Sequence, residues 1–375
     1  MYSFTDWLNF YLVIFFGLYF LQSLLLIIGL FLDDKNYLSN SNESVTIIVS
    51  ARNEENKIGS CLESLINIDY PKNLLEIIII DDGSTDNTAT IIKKYVEGHN
   101  YIKYLLAKGS NGNLKGKANA LDQAIKYSST DIIMITDADC VALPTWVSST
   151  VKYFGKNVGI IAGFTTLDIK NWFHGIQSLD WSYILGMSAS TINLKNPLSC
   201  IGNNYCFRKK AYNEVGGYKN IKFSVTEDFS LFTEIIKSGK WKYRFPMDHN
   251  RVIKTKPVET WIELVRQKRR WAIGGLEMKF SGLMFMVIAY IFHLLLVTVF
   301  IDNFISSNIF TNPIYFFASK IFIDFVFIFT LLYKFKFLNQ LKYFLHFQIY
   351  FIFSLFLTPF TALFGGKVKW KGREF

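Results

Sequence analysis

Cysteine is scarce in this sequence, and its few copies follow no metal-binding or disulfide pattern. Four cysteines, at positions 61, 140, 200 and 206, are spread over 375 residues. Zinc sites need closely spaced pairs, and small secreted domains need many bridges. Internal repeats and low-complexity tracts are also absent from the sequence. These absences exclude a zinc module and a disulfide-dense secreted domain, and they favour reduced thiols in a cytosolic domain.

Long stretches toward the two ends of the sequence contain almost no charged residues. Hydrophobic residues make up 51% and aromatic residues 17% of the chain, and the mean hydropathy is +0.23. Residues 8–32 form one apolar run, and three more lie at about 283–301, 313–333 and 343–364. Each is close to the ~20 residues that a bilayer-spanning helix needs. We therefore predict membrane segments on both sides of a polar middle.

The first apolar run lacks the features of a cleaved secretory signal. No basic region precedes it, no small-residue cleavage site precedes Asp33, and the run is too long. We interpret residues 1–33 as an uncleaved transmembrane anchor. Residues 281–364 are predicted to form transmembrane or interfacial helices, and residues 365–375 a basic tail.

The net charge of +10 comes partly from basic residues beside the predicted spans. A cluster leads into the second apolar run: Lys254, Lys256, Arg266, Lys268, Arg269 and Arg270. Positive residues near membrane segments favour the cytoplasmic side, so we expect the middle domain in the cytosol. Three full spans after it would place the basic tail outside, so we expect the one containing Pro359 to be re-entrant or interfacial. No known nucleic-acid-binding pattern is present, which argues against such a partner.

Strand and helix patterns alternate through the middle of the chain. Apolar strands are predicted at residues 44–50, 75–80, 102–106 and 131–136, and helices at 54–68, 86–96, 117–127, 227–238 and 258–271. Strands that are apolar on both faces and alternate with helices indicate a parallel sheet covered on both sides. Residues 172–189 are predicted to form an amphipathic helix, on the membrane surface or against the core.

Two acidic clusters directly follow predicted strands. Asp81 and Asp82 can accept hydrogen bonds from a base and a ribose, or can simply form a turn before the next helix. Asp137 and Asp139 can aim two carboxylates at a divalent cation that bridges nucleotide phosphates, although such a pair also arises by chance. Ligands bind parallel sheets beyond the carboxyl ends of the strands, which favours the functional interpretation of both.

Three further segments combine charge with a helix end. Lys117 opens a helix where phosphate can bind, or is an ordinary solvated lysine. Glu227 and Asp228 begin a helix, where acidic residues either complement the dipole or accept a proton. Basic residues from Arg266 to Trp271 end a helix beside the membrane, where headgroup binding alone would explain them.

In this order and spacing, the segments resemble the family 2 glycosyltransferases of the GT-A fold. The similarity is to their membrane-bound branch, which includes cellulose, hyaluronan and poly-N-acetylglucosamine synthases and ceramide glucosyltransferase. It covers residues 44–275 and rests on the matching motifs Ala51-Arg52-Asn53-Glu54, Asp81 to Asp86, Asp137-x-Asp139, Gly202 to Arg208, Thr226-Glu227-Asp228 and Gln267-x-x-Arg270-Trp271.

The resemblance implies a fold and a set of residue roles. It implies an α/β GT-A, Rossmann-like mixed sheet with helices on both faces, in a cytosolic domain of residues 44–275 that is anchored in a bacterial inner membrane. The implied donor-binding residues are Ala51, Asn53, Glu54, Asp81, Asp82, Lys117, Asp137, Ala138 and Asp139, of which Asp137 and Asp139 hold Mg²⁺ or Mn²⁺. Asp228 is the implied general base, with Glu227 beside it. The implied acceptor and pyrophosphate residues are Asn203, Asn204, Gln267, Arg270 and Trp271.

The expected activity is an inverting hexosyl transfer from a nucleotide-sugar, with UDP as the expected nucleotide. The apolar segments around the domain are few for a channel that must enclose a polymer. The tail also resembles that of lipid-directed members of the family. We therefore expect a membrane lipid as acceptor, and keep a processive polysaccharide synthase as the alternative. A non-catalytic nucleotide-sugar-binding membrane protein is the alternative of another class, disfavoured because Asp137, Asp139 and Asp228 are all present. Protein partners are not predicted.

Overall fold

The structure is a computed structural model that describes residues 4–32, 42–109, 114–221, 224, 226–276, 278–305, 312–364, 369–370 and 373–374. Most of residues 33–43, which lie between the first apolar run and the first predicted strand, and most of the basic tail 365–375 therefore lie outside the described residues. The α-helices are α1 Phe4–Phe31, α2 Ile58–Ile66, α3 Thr88–Gly98, α4 Gly116–Tyr127, α5 Trp146–Val151, α6 Trp172–Asn193, α7 Lys209–Glu214, α8 Gly217–Asn220, α9 Glu227–Lys237, α10 Trp261–Gly275, α11 Phe280–Ile305, α12 Asn312–Lys334 and α13 Phe344–Phe364. The strands are β1 Val45–Ala51, β2 Leu75–Asp81, β3 Ile102–Leu106, β4 Ile132–Asp137, β5 Cys140–Ala142, β6 Val158–Ala162, β7 Thr165–Leu167, β8 Tyr205–Arg208, β9 Lys242–Arg244, β10 Ile253–Thr255, β11 Lys369–Trp370 and β12 Arg373–Glu374. Short 3-10 helices cover Lys72–Leu74, His249–Arg251 and Leu338–Tyr343.

The chain divides into two compact units, each assembled from separate segments. The helical unit contains Met1–Leu32, Lys170–Leu198 and Glu259–Gly366. The sheet unit contains Asp33–Ile169, Ser199–Val258 and Lys367–Phe375. Helices α6 and α10, which lie within the predicted catalytic domain of residues 44–275, thus belong to the helical unit. The limits of that domain remain a prediction.

The sheet unit is built on a seven-stranded sheet of order β3-β2-β1-β4-β8-β6-β9. Strands β1 to β4 run parallel to one another, whereas β8 is antiparallel to both β4 and β6. Every residue of β2 is buried, as expected for a strand whose two faces are both covered. The predicted mixed α/β sheet is confirmed. A smaller sheet pairs β10 with β5 and β7.

Helix α2 is shorter than predicted, because the chain turns before it starts. The predicted helix covered residues 54–68, but α2 spans Ile58–Ile66. Asn53 has a left-handed φ of 52°, a conformation that asparagine tolerates better than most residues. The turn continues with a backbone hydrogen bond of 2.9 Å from Lys57 N to Glu54 O. This turn leaves residues 52–57 as a loop at the end of β1.

The helical unit contains four helices long and apolar enough to cross a membrane, among the residues that the structure describes. They are Thr5–Phe31, Phe280–Ile305, Pro313–Lys334 and Leu338–Phe364. The prediction of apolar helices at both ends is therefore confirmed. Helix α13 contains Pro359 within its length, so the proline does not end the helix.

Helix α6 is not amphipathic, contrary to one of the predictions made for it. Polar residues such as Ser178 and Ser182 are buried along with Ile176 and Leu185. Its glycines permit close packing: a Cβ at Gly175 would lie 2.4 Å from the Tyr343 ring. The helix is therefore a core helix of the helical unit and not a surface-lying one. The sequence pattern suggested an amphipathic helix because it mixes polar with aromatic residues. Small, polar and aromatic residues in fact lie on all sides of α6.

A polar network lies buried among the candidate spans. The carboxylate of Asp324 accepts hydrogen bonds from Tyr19 Oη at 2.6 Å and Gln348 Nε2 at 3.2 Å. Lys320 Nζ lies 3.0 Å from the same carboxylate and also donates to Gln348 Oε1. Each of these side chains is at least nine-tenths buried. The network joins α1, α12 and α13, and so ties the N-terminal helix to the C-terminal ones.

Candidate active site

The ends of three strands place predicted donor-binding residues at one edge of the main sheet. In the parallel register Ala51 lies opposite Asp81, and Ser50 lies opposite Asp137. Ligands of open α/β sheets bind beyond the carboxyl ends of the strands. This edge is therefore the candidate site, and the acidic residues of β2 and β4 lie there together.

Asp81 organises the turn after β2. Its Oδ1 accepts a hydrogen bond from Ser84 N at 2.8 Å, and its Oδ2 accepts one from Tyr104 Oη at 3.1 Å. Burial, together with the Asp81 charge, raises the pKa of Tyr104 to about 12. Gly83, at φ 74°, provides the left-handed residue of the turn. Asp81 therefore shapes this loop by its own contacts, and buried Asp82 follows it at the edge.

The loop after β1 is tied to the loop after β2. Asn53 Oδ1 accepts a hydrogen bond from Thr85 N at 2.8 Å, and Asn53 N donates to Ser84 Oγ at 3.1 Å. Buried Glu54 is held through its backbone N, which donates to Thr88 Oγ1 at 2.7 Å. Asn53 and Glu54 thus fix the two loops to each other, in addition to any contact with a ligand.

Lys117 lies between carboxylates from two distant parts of the chain. Its Nζ is 2.7 Å from Asp137 Oδ1 and 3.2 Å from Glu227 Oε1, and its side chain is 17% exposed. Burial lowers the pKa of Lys117, but the charges of Asp137 and Glu227 outweigh burial and raise it overall. Lys117 therefore carries a positive charge at the carboxyl end of β4.

Asp228 approaches the backbone of the chain at Gly202. A Cβ built on Gly202 would lie 2.6 Å from Asp228 Oδ2, so this approach requires glycine. Phe229 N donates to Asp228 Oδ1 at 2.8 Å. Burial and then the charge of Glu227 raise the pKa of Asp228 to about 7, against the opposing charge of Lys117. A carboxylate with such a pKa is well matched to accepting a proton near neutral pH.

Asp137 and Asp139 form a two-carboxylate set around buried Ala138. Asp139 Oδ2 lies 3.8 Å from Lys57 Nζ. Carboxylate oxygens suit Mg²⁺ and Mn²⁺, and Mg²⁺ commonly takes its other ligands from water and substrate phosphates. No cluster of three or more His, Cys, Asp or Glu that could hold a metal occurs among the described residues. The pair therefore fits a cation completed by a nucleotide.

Asn203 and Asn204 are committed to internal hydrogen bonds. Asn204 Oδ1 accepts from Trp146 Nε1 at 3.1 Å, while its Nδ2 donates to the carbonyl oxygens of Phe164 and Arg251 at 2.7 and 3.0 Å. Asn203 Oδ1 accepts from Thr165 Oγ1 at 2.8 Å. Both side chains are buried. These contacts hold the loop that contains Gly202, which is a framework function distinct from the predicted acceptor contact.

Gln267, Arg270 and Trp271 lie on α10, in the helical unit. The Trp271 ring packs edge-on against Trp181, with ring centroids 5.1 Å apart. The structure therefore assigns these three residues to a different unit from Asp137 and Asp228. Their predicted role toward pyrophosphate and acceptor remains a prediction.

Three residues of this site have no role among those predicted from the sequence. Tyr104 donates a hydrogen bond to Asp81, Gly202 leaves room for the side chain of Asp228, and Lys57 lies beside Asp139. The signal for Gly202 was present, because a glycine opens the Gly202 to Arg208 motif. Tyr104 and Lys57 carry no local signal, since their contacts depend on the pairing of β3 with β2 and on the position of α2.

Comparison with known families decides the class of the protein. The model of Glycosyl transferase family 2 matches residues 46–216, and that of Glycosyl transferase family group 2 matches residues 132–365, which is more than half of the chain. The chain is a family 2 glycosyltransferase. This confirms the resemblance seen in the motifs and the expectation of an enzyme, and it leaves the non-catalytic alternative without support.

Curated relatives of this glycosyltransferase include poly-beta-1,6-N-acetyl-D-glucosamine synthases. That of Staphylococcus aureus (strain MSSA476) is 30% identical over 240 residues, and that of Staphylococcus epidermidis is 29% identical over 239. Each match covers 63% of this chain and 55% of the relative. The chain therefore spans about half the length of the curated relatives it matches.

Among solved structures, the glycosyltransferase is similar to a mannosyltransferase, PcManGT from Pyrobaculum calidifontis, in complex with GDP-Man and Mn²⁺. The match covers 97% of this chain and 100% of that chain, with a TM-score of 0.62 and 16% identity. At this identity the likeness concerns the fold alone. It agrees with a GT-A sheet accompanied by apolar helices.

Proposed function

We propose that this glycosyltransferase transfers a sugar, with inversion, from a UDP-sugar to a hydroxyl of a membrane lipid. The observation that carries the proposal is the group formed by Asp228, Lys117 and Asp137 beyond the carboxyl ends of the strands. The group combines the carboxylate of Asp228, whose pKa is raised, with the largely buried ammonium of Lys117. Through Asp137 it includes one of the two carboxylates of the Asp137 and Asp139 pair. Proton removal and charge stabilisation are the two requirements of such a transfer.

The donor would occupy the edge formed by the loops after β1 and β2. Asp82, with Asn53 beside it, would contact the base and ribose, while Asp81, Ala51 and Glu54 maintain the shape of the loops. The bound GDP-Man of PcManGT supports a nucleotide-sugar donor at this fold. The uridine specificity rests on the resemblance of the motifs, and guanosine is the competing base.

Asp137 and Asp139 would hold Mg²⁺ or Mn²⁺, with Ala138 setting their spacing. The Mn²⁺ named with PcManGT supports a metal requirement. When bound, the cation would supply positive charge to the diphosphate as it leaves. Lys117 adds its own charge at the same place, because its ammonium contacts Asp137 directly.

Asp228 would act as general base in a single displacement. The acceptor oxygen forms a bond to the anomeric carbon while Asp228 takes the hydroxyl proton. The bond from that carbon to the diphosphate breaks, and its electron pair leaves with the diphosphate. Glu227 contributes by raising the pKa of Asp228 toward neutrality. One displacement inverts the anomeric centre, so an α-linked donor gives a β-glycoside.

A lipid acceptor is supported by an open apolar cavity on the surface of the helical unit. Its volume is about 400 Å³, and its lining includes Trp172, Trp261, Leu264, Ile349, Phe353 and Leu357. The cavity adjoins α10, the helix that carries Gln267 and Arg270, which we propose to contact the pyrophosphate and acceptor. An apolar cavity of this size suits a hydrocarbon chain better than a hydrated glycan. Asn203 and Asn204 would serve the acceptor site through the loop that their internal hydrogen bonds hold, and their contact with the acceptor remains a prediction.

The alternative acceptor is a growing polysaccharide. It is favoured by the names of the curated relatives, which are polymer synthases, at 30% identity. Because the chain spans about half of their length, their activity is only an alternative here. We also propose that the sheet unit faces the cytosol of a bacterium, because basic residues flank the candidate spans.

One experiment separates the two acceptors. Membranes containing the enzyme are incubated with a panel of labelled nucleotide-sugars, and organic-extractable product is separated from polymer. We expect one or two sugars on an extractable acceptor, with a product length that does not increase with donor concentration. Asp228→Asn membranes serve as the control. Formation of a long polymer without added lipid would replace the lipid acceptor with the polysaccharide.

A further inference from the structure

Helix α10 packs against α13, and several of its side chains also contact the first half of the buried helix α6. At its start, the rings of Phe173 and Trp261 have centroids 4.5 Å apart. His174 Nε2 lies 3.2 Å from Glu259 Oε2, just before α10 begins. Two further contacts join the middle of α6 to α10, between Asp180 and Lys268 and between Trp181 and Trp271. Because α6 is itself buried in the helical unit, it provides a fixed support for α10.

The strongest of these contacts is an ion pair between Asp180 and Lys268. Their side chains are only 4% and 13% exposed. Asp180 is also the one acidic residue in the sequence of α6. Burial raises the pKa of Asp180, and the charge of Lys268 acts in the opposite direction. A buried charge without its partner is costly, so each of these residues restricts where the other can lie.

Lys268 and Trp271 contact α6 from the same side of α10. The Lys268 ammonium lies 5.5 Å from the centroid of the Trp271 ring, and that ring packs against Trp181 at 5.1 Å. At 100° per residue, Trp271 lies about 60° from Lys268 around the helix, Gln267 lies about 40° beyond Trp271, and Arg270 lies about 60° further on. Because all four residues belong to one helix, holding Lys268 and Trp271 in place also sets the direction of Gln267 and Arg270.

We propose that Asp180 and Trp181 are positioning residues that orient Gln267 and Arg270 for transfer by holding Lys268 and Trp271. The inference rests on the proposed function, in which α10 contacts pyrophosphate and acceptor. Lys268 accordingly supports the helix and is not a phosphate ligand, although it lies inside the Gln267 to Trp271 motif. Displacement of a reacting group by about 1 Å can cost about a hundredfold in rate.

The test combines hydrogen–deuterium exchange with transfer kinetics on the full chain in detergent and lipid. In Asp180→Asn, which keeps the shape and removes the charge, we expect faster amide exchange in α10 and unchanged exchange in α9. We expect kcat for transfer to fall by about ten- to a hundredfold. Lys268→Arg retains the cation and is expected to keep most of the activity.

Ser178→Ala is the matched control, because Ser178 lies on the same buried helix and donates instead to Gln340 at 2.9 Å. It should leave exchange in α10 and kcat unchanged. Unaltered exchange of α10 in Asp180→Asn would overturn the proposal, as would faster exchange with unchanged kcat. If the wild-type enzyme transfers no sugar at all, the proposed function fails, and the exchange of α10 still decides whether Asp180 holds that helix.

Discussion

Gly202 lies against Asp228 so closely that a Cβ at position 202 would be 2.6 Å from the carboxylate Oδ2 and 3.0 Å from the Asp228 Cβ. The backbone of one loop therefore defines where the proposed general base lies. A base must be within hydrogen-bond reach of the proton that it takes. In the proposed mechanism, position 202 therefore influences catalysis without any side chain of its own.

Gly202→Ala is expected to displace Asp228 and lower kcat for transfer by about a hundredfold. The fold should persist, because the overlap is confined to one side chain. Steady-state kinetics with a thermal unfolding curve would check both statements. Gly98→Ala is the control, since no atom lies within 4 Å of a Cβ at that position. Normal transfer by Gly202→Ala would show that the position of Asp228 is not critical.

Asp228→Asn is expected to fold and bind donor but to lose transfer by about 10²- to 10⁴-fold, because the amide cannot accept the proton. Nucleotide binding by calorimetry and transfer with labelled donor are the measurements. Glu234→Gln, on the same helix, removes a solvent-accessible carboxylate that pairs with Lys237 and should change neither. Near wild-type transfer by Asp228→Asn would remove this residue from the mechanism.

The pH dependence of transfer should follow the ionisation of Asp228. The base acts when deprotonated, and its pKa is raised to about 7, so kcat/KM should rise as pH passes upward through neutrality. Glu227→Gln removes a negative charge that raises this pKa, and should shift the rise to lower pH. A profile measured from about pH 5 to 9 checks the sign. A rise at the same pH in both proteins would contradict the assignment.

Asp137→Ala and Asp139→Ala are expected to weaken nucleotide binding in a metal-dependent manner, because each removes an oxygen ligand. Calorimetric titration with and without Mn²⁺ measures the effect. Asp168→Ala serves as control, because Asp168 is an exposed carboxylate of the same unit. If Mn²⁺ tightens binding equally in the variants and the wild type, neither residue holds the cation.

Lys320→Met is expected to destabilise the helical unit by about 3 kcal/mol, because it leaves Asp324 buried without its cation. The double variant Lys320→Met/Asp324→Leu should recover part of the loss, since no buried charge remains. Thermal unfolding in detergent compares the two. A double variant that is less stable than the single one would show that Asp324 stabilises the unit through Tyr19 and Gln348 even without the lysine.

Sequence patterns were sufficient to predict the four parallel strands β1 to β4 and the order of the motifs, but not the other strands of the sheet unit. Runs of β-branched residues at 45–51 and 75–81 form β1 and β2 because both faces of these strands are covered. Polar residues directly after them necessarily lie at the edge of a parallel sheet. The apolar ends were equally evident, because a helix long enough to cross a bilayer needs an uninterrupted apolar run.

Which distant groups meet depends on how the whole chain folds. Lys117 pairs with Glu227, 110 positions later, because β4 neighbours both β1 and β8 in the sheet. Local patterns could not show that Asn204 is occupied by three internal bonds, or that α6 is a core helix. Side-chain periodicity reports what one segment prefers to bury, whereas contacts such as Asp180 with Lys268 depend on where the whole chain places its neighbours.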